Sequence, residues 1–394
     1  MNIGITIGLS KDNEPLWING IKLNILNLTK TLMCIPNTNV WILDSTNEVT
    51  DLTKVDWDHT KYKTYKLTDK MKELDVLIML GTSLPLSFVE KLRNLNSKIK
   101  VVKYQCGNNY VIDMERSIFT DPNTEVNPSW STSQDETWYV PQQGYQNHDY
   151  YQIAFRQGPG KVKPVPFVWD PEHLDNYIRD TKITGVEYSV KDSNQKQILV
   201  MEPNMNVVKY SMVPTMMVEN LYRLHGDVFN KLIVAGGNKI LKNNYYKKMI
   251  MEFDIVKSNP PKVKYIGRYP APLLFAREAD IIIAHQWENP LNYAYLDAMY
   301  YGYPFIHNAD FIEDAGYYYS GFNIIDGSNI LEQVLKSHDS QIDEYNSKNK
   351  KVLERYLSTN PEIVDTYRKL IENLFEPNKH QMSYEYNPKT NTYK

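Results

Sequence analysis

Between residues 263 and 308 the chain reads VKYIGRYPAPLLFAREADIIIAHQWENPLNYAYLDAMYYGYPFIHN, and no other stretch constrains the fold as much. A short apolar run and a helical pattern lead into a continuous apolar run (ADIIIAH). A loop, a second helical pattern (PLNYAYLDAMYYG) and a third run (YPFIHN) follow. Apolar runs too short for helices, separated by amphipathic segments, are what a parallel sheet with crossover helices requires. In such sheets ligands lie at the carboxyl ends of the strands. Polar residues gather at those ends here: Arg268 and Tyr269 after the first run, then His285, Glu288 and Asn289 after the second. With Asn289 in the loop, it lies over the N-terminus of the next helix, a ready anion site. The segment therefore predicts a place to hold a phosphorylated ligand.

The same alternation runs through the rest of the chain. Strands are predicted at 2–9, 40–44, 75–81, 100–107 and 137–141, with helices at 21–32 and 86–95. A second series has strands at 197–203, 231–236, 263–267, 279–285 and 303–308. Its helices fall at 210–224, 245–256, 272–278, 291–301 and 330–337, and the patterns at 342–357 and 361–375 close it. From 121 to 160 the periodicity dissolves apart from the strand at 137–141. The Pro-punctuated GPGKVKPVPFVWDP (158–171) then resembles a domain connection. The expected organisation of these 394 residues is two doubly wound, Rossmann-like α/β domains, 1–170 and 171–376, facing across a cleft. The polar, aperiodic tail at 377–394 is expected to be disordered.

Composition narrows the function classes. With 44 basic and 47 acidic residues and a formal net charge of −3, the chain exerts no global pull on nucleic acid. Cys34 and Cys106 form no spaced cluster, which points away from a zinc site or a disulfide framework and toward a reducing, cytoplasmic setting. The opening MNIGITIGLS reads as a first strand rather than a signal peptide, and no run is long enough to span a bilayer. The excess of tyrosine, 30 against 11 phenylalanines, reflects either an AT-rich coding bias or rings suited to sugar and base faces.

Asn289 and Asp297 are separated by seven residues and followed by Ala298, Met299, Gly302 and Pro304. This frame resembles the Glu-seven-Glu motif of retaining GT-B glycosyltransferases, which continues with Ala-Met, a Gly and a Pro-containing strand. The longer wording HQWENPLNYAYLDAMYYGYPFIHN is joined by GYYYSGF (316–322), WING (17–20) and EPNMNVVK (202–209). Together they are similar to an uncharacterised, domain-of-unknown-function family of predicted GT-B glycosyltransferases in bacteria, large DNA viruses and phages. The resemblance implies a retaining transfer of sugar from a nucleotide-diphosphate sugar, most often UDP-linked, to a hydroxyl, with no metal or other cofactor. It implies a glycan, a protein or hydroxymethylated phage DNA as acceptor, in the cytoplasm of a bacterium or of an infected host cell. For DNA, the lysines at 61, 63, 66, 98, 100 and 103 are the candidate phosphate contacts. A catalytically silent sugar-nucleotide-binding or scaffold protein is the rival.

Residue by residue, the resemblance makes Lys209 the lysine on the donor diphosphate. The arginine that accompanies it in such enzymes has no match: Asn204 and Asn206 stand in its neighbourhood, and Arg268 lies nearer the loop that touches the nucleobase. Asn289 replaces the first Glu, on the donor sugar; an amide both donates and accepts hydrogen bonds but carries no charge, and Glu288 beside it offers a carboxylate. Asp297 replaces the second Glu, on the ribose. Gly20 and Asn19 resemble the loop that approaches donor phosphates, where backbone approach requires glycine. Stabilising the departing diphosphate is the main demand of the reaction. Lys209, Asn289 and His285 are the expected catalytic groups; Gly20, Asn19, Asn204, Arg268, Tyr269, Glu288, Tyr293 and Asp297 are the expected donor contacts. Each has a plainer alternative. Lys209 also reads as a solvated helix-start lysine, Asn289 as a helix N-cap, Asp297 as a solvent-facing helix residue and His285 as a structural hydrogen-bonder.

Overall fold

The computed structural model describes residues 1–18, 20–121, 123–124, 130, 132–382 and 384–393. The chain forms two compact units, Met1–Asp170 with Arg355–Lys394, and Pro171–Glu354.

The first unit is built on seven parallel strands: β1 (Asn2–Ile7), β2 (Asn39–Asp44), β3 (Thr64–Lys66), β4 (Val76–Met79), β5 (Lys100–Gln105), β6 (Glu136–Tyr139) and β7 (Val162–Pro164). Their order in the sheet is β3-β2-β1-β4-β5-β6-β7. The central strands are buried on both faces, which is why they read as unbroken apolar runs.

Several expectations are corrected in this unit. The segment 158–171 does carry the chain from one unit to the next, at Asp170–Pro171, but it is also an integral part of the first unit: it supplies β7, an edge strand where Pro164 needs no donor in the ladder, and Phe167, Val168 and Trp169 after it are buried. The aperiodic region contains a helix, Gly144–Ala154. That helix is fastened by polar contacts, with the buried Asn147 amide donating to Asn108 Oδ1 and to the Gln143 carbonyl, both at 2.9 Å, so apolar periodicity does not reveal it.

The chain's end also differs from expectation. The helix Pro361–Phe375 belongs to the first unit, not the second, because its buried face (Ile363, Tyr367, Leu370, Leu374) completes the first core. The Tyr367 hydroxyl lies 3.1 Å from that of Tyr104 and donates to the Pro166 carbonyl at 2.8 Å. The tail expected to be disordered pairs as a short hairpin, Tyr386–Asn387 with Thr392–Tyr393. Asn391 in its turn is buried and donates to the Phe167 carbonyl at 2.8 Å. Lys103 is 2% exposed with its ammonium 4.3 Å from the Phe155 ring centre, which removes it from any phosphate-contacting surface.

The second unit holds six parallel strands: β8 (Gln197–Val200), β9 (Lys231–Ala235), β10 (Val263–Ile266), β11 (Ile281–Ile283), β12 (Phe305–His307) and β13 (Tyr317–Tyr318). Their order is β10-β9-β8-β11-β12-β13. The chain steps outward from β8 to β10, then returns to the other side of β8 with β11. The carboxyl edge between β8 and β11 is therefore the topological switch point, where open α/β sheets place their ligands. The helix Met212–His225 follows β8 and packs its buried face on this sheet. The helix expected at 245–256 is broken into Asn244–Ile250 and Asp254–Lys257, and the one expected at 330–337 starts earlier, as Ile324–Ser337, under an Asn323 cap. Among the described residues no helix is long and apolar enough to cross a membrane.

Candidate active site

Two loops meet at the switch point, and a third, from β10, reaches the first of them. The first leaves β8 through Glu202 and Asn204. Asn204 adopts φ +51°, and its side-chain oxygen accepts from the Ser211 N–H at 2.9 Å and the Ser211 hydroxyl at 2.8 Å, while its amide donates to the Glu202 carbonyl at 2.9 Å. These bonds staple the loop to the start of the following helix. An antiparallel bridge between Asn206 and Lys209 closes a tight turn, so half-buried Lys209 precedes the helix by a few residues instead of starting it. Glu202 is 2% exposed, and its carboxylate accepts from the His285 backbone N–H at 3.1 Å. Burial pushes that carboxyl up to about 7, with Lys209's charge and the His285 N–H pulling the other way.

The second loop leaves β11. His285 is buried, with Nδ1 2.9 Å from the Tyr319 hydroxyl and its ring edge-on to Phe322 at 4.6 Å between centres. Burial lowers its pKa to about 4, which keeps the imidazole neutral at pH 7. Gln286 is clasped by Asn308 at the end of β12, and its side-chain oxygen accepts from the Asn289 N–H at 2.6 Å. Asn289 is thus a buried loop residue. The N-cap of the helix Tyr293–Tyr300 is Asn292, which removes the capping explanation for Asn289. Glu288, half-buried at φ +53°, lies beside it. The Trp287 N–H donates to the Val208 carbonyl at 3.0 Å, tying the β11 loop to the Lys209 loop.

The third loop follows β10. Gly236, at the end of β9, has φ +74°, and a Cβ there would lie 3.1 Å from the Glu202 carbonyl oxygen and 3.5 Å from Arg268 Cγ. Glycine therefore permits the strand ends to close on one another. Arg268 is exposed, with Nη1 3.8 Å from Met205 Sδ, and Tyr269 beside it is exposed as well. Trp287, Phe322 and Met205 add further exposed apolar surface along this edge.

The remaining sequence candidates belong to other elements. Asp297 is 2% exposed, with Oδ1 3.6 Å from Nε2 of buried His173, so it is not the solvent-facing helix residue of the plainer alternative. Tyr293 is buried. Gly20 is the exposed first residue of the helix Gly20–Met33 in the first unit, and Asn19 lies outside the described residues. Among the described residues no group of His, Cys, Asp and Glu could hold a metal. Sequence reasoning missed Glu202, Gln286, Asn308 and Tyr319. For Glu202 a signal existed: a charged residue closing the apolar run QILVM is the same cue that singled out His285.

Residues 3–371 match the family described as "Protein of unknown function (DUF2827)". No curated protein matches the sequence. Among solved structures the chain is similar to sucrose-phosphate synthase from Thermosynechococcus elongatus, with TM-score 0.54 and 12% identity over 95% of this chain and 99% of that one. It is similar to a glycosyltransferase from Rickettsia africae ESF-5, with TM-score 0.54 and 12% identity over 96% and 99%. It is also similar to an α,α-trehalose 6-phosphate synthase from Burkholderia multivorans, with TM-score 0.53 and 10% identity over 95% and 96%. The likeness is one of fold: two Rossmann-like, parallel-sheet domains of the GT-B glycosyltransferase type.

Proposed function

This chain belongs to the DUF2827 family, and we propose that it is a GT-B glycosyltransferase that moves a sugar from a nucleotide-diphosphate sugar, most often UDP-linked, to a hydroxyl acceptor. The observation that carries this reading is the interlocking, at the carboxyl edge of the second sheet, of the loops that bear a cation (Lys209), an amide (Asn289) and an exposed arginine (Arg268): the Trp287 N–H donates to the Val208 carbonyl, and Arg268 meets Met205. Lys209 balances the negative charge that grows on the departing diphosphate, the step on which rate depends most. Asn289 hydrogen-bonds the sugar hydroxyls, held in place by Gln286. Arg268 and Tyr269 face the nucleoside. Retention requires no protein base when the leaving phosphate itself takes the acceptor proton, and no metal enters the scheme. A glycan or protein hydroxyl is the favoured acceptor over modified DNA, since one of the lysines assigned to DNA phosphates, Lys103, is buried.

A second reading, a silent sugar-nucleotide binder, draws support from two observations. Asn204 is consumed in stapling its loop instead of replacing the second cation, and Asp297 is turned to His173. Thermal stabilisation by a panel of nucleotide sugars tests binding, because a ligand that binds only the folded state raises its melting temperature. Turnover of the stabilising donor, by hydrolysis or transfer, then separates enzyme from binder. Absence of stabilisation by any nucleotide sugar would overturn both.

A further inference from the structure

Glu202 has no part in the transfer scheme above, yet it is buried between the two loops that carry Lys209 and Asn289, on the first and bonded to the second. Its side chain is 2% exposed at the end of β8, and its carboxylate accepts from the His285 backbone N–H at 3.1 Å. A single backbone donor does not compensate a buried negative charge, which is costly without an ionic partner. Lys209 stands on the same loop, and the two are held to neighbouring points of the β11 loop: Glu202 by the His285 N–H, and Val208, next to Lys209, by the Trp287 N–H at 3.0 Å, so the lysine's charge favours the carboxylate. The tyrosines and the histidine that face Glu202 carry no charge. Tyr295, from the helix after β11, and Tyr319, beyond β13, sense its charge and are kept protonated, first by burial and then by that charge. The His285 imidazole is neutral at pH 7 because it is buried. Arg268 lies past Gly236, exposed and directed at Met205.

A diphosphate brought to Lys209 competes for the cation that keeps Glu202 ionised. It also sets a second anion close to the carboxylate, and neighbouring like charges disfavour the ionised form. Resting on the donor reading above, we propose that Glu202 is a positioning residue for Lys209 and takes up one proton when a nucleotide-sugar diphosphate binds. The proton comes from solvent and ends on a Glu202 carboxylate oxygen; no bond of the donor is made or broken. In the empty site the carboxylate holds Lys209 in place. In the filled site the neutral acid leaves the whole lysine charge to the phosphates.

Calorimetric titration with UDP-glucose and, in parallel, ADP-glucose from about pH 6 to about pH 9 tests this, because a diphosphate esterified at both ends does not titrate across that range. The wild-type chain should bind with constant affinity up to about pH 7 and lose roughly tenfold per unit above it. The binding enthalpy should vary with the buffer's ionisation enthalpy in the sense of proton uptake. Glu202→Gln keeps an acceptor for the His285 N–H, so it should fold; its binding should lose both the slope and the uptake and exceed wild-type affinity at about pH 8 by roughly tenfold. Glu202→Asp, which restores the acid, should restore the slope. A purely structural role would not move these readouts. A pH-independent wild-type affinity, or an unchanged slope in Glu202→Gln, would overturn the inference alone; failure of both donors to bind any of the proteins would sink the donor reading and this inference with it.

Discussion

Asn308 and Gln286 are locked together across the ends of β12 and β11: the Asn308 amide donates to the Gln286 carbonyl at 2.8 Å, and its oxygen accepts from the Gln286 N–H at 2.9 Å. The Gln286 side chain returns a bond to the Asn308 carbonyl at 3.2 Å and accepts from the Asn289 N–H at 2.6 Å. The loop carrying Asn289 is thus set by two buried amides, neither of which need touch a ligand.

Asn308→Ala should therefore act on both stability and donor binding. It leaves buried backbone groups of Gln286 without partners, a loss of about 1–3 kcal/mol. The urea midpoint should fall, and the KM for donor should rise as Asn289 loses its support. An unchanged midpoint would show that the clasp contributes nothing.

Lys209→Ala should lower kcat. A charge-assisted contact is worth about 1.5–3 kcal/mol, so a loss of roughly tenfold to a hundredfold is expected in steady-state kinetics with a known donor. An effect confined to KM would mean that Lys209 binds donor and transition state alike.

Asp297 offers a choice between two outcomes. Buried 3.6 Å from His173, it should matter to the fold, with Asp297→Ala costing about 1–3 kcal/mol as a buried partner is lost. Asp297→Asn, nearly isosteric, should be milder. If denaturation is unaffected by either change while donor KM rises, the ribose contact implied by the family resemblance is the better account.

Gly236→Ala should cost about 1–2 kcal/mol, because φ +74° is a left-handed conformation that a Cβ disfavours. The new methyl would also press on the Glu202 carbonyl at 3.1 Å. Donor affinity should fall together with the melting temperature. A wild-type melting temperature would refute the strain argument.

Stability should depend on pH with two opposite signs. Burial lowers His285, His307 and His338 to about 4 each, so the stability they contribute is present above about pH 6.5 and lost as pH falls through about 4. Burial raises Glu202 to about 7, so its contribution is complete below about pH 4.5 and lost as pH rises through about 7. Urea midpoints across this range should decline toward acid, and Glu202→Gln should flatten the decline on the alkaline side. An identical alkaline limb in the variant would place Glu202 in an unperturbed environment.

The sequence by itself determined the alternation of strand and helix, and with it the edge at which polar residues would gather. Runs such as DIIIA and QILV are buried on both faces wherever they are placed, so their strand character is local. His285 and Asn289 were legible for the same reason, as polar residues just past the ends of such runs. Only the tertiary structure decided which groups those residues meet. The helix Pro361–Phe375 looks like a continuation of the second series, yet its apolar face completes the first core, a choice no local pattern records. Asn204 reads as a donor contact near the place of a missing arginine but is bonded to Ser211, and Asp297 reads as a ribose contact or, more plainly, a solvent-facing residue but is buried beside His173 from a helix more than a hundred residues earlier. Glu202 gains its importance from the His285 N–H at the end of a strand that is adjacent in the sheet and distant in the chain. Secondary structure follows from short-range apolar periodicity; the partner of a buried polar group follows from which strands the sheet brings side by side, and that is a property of the folded chain alone.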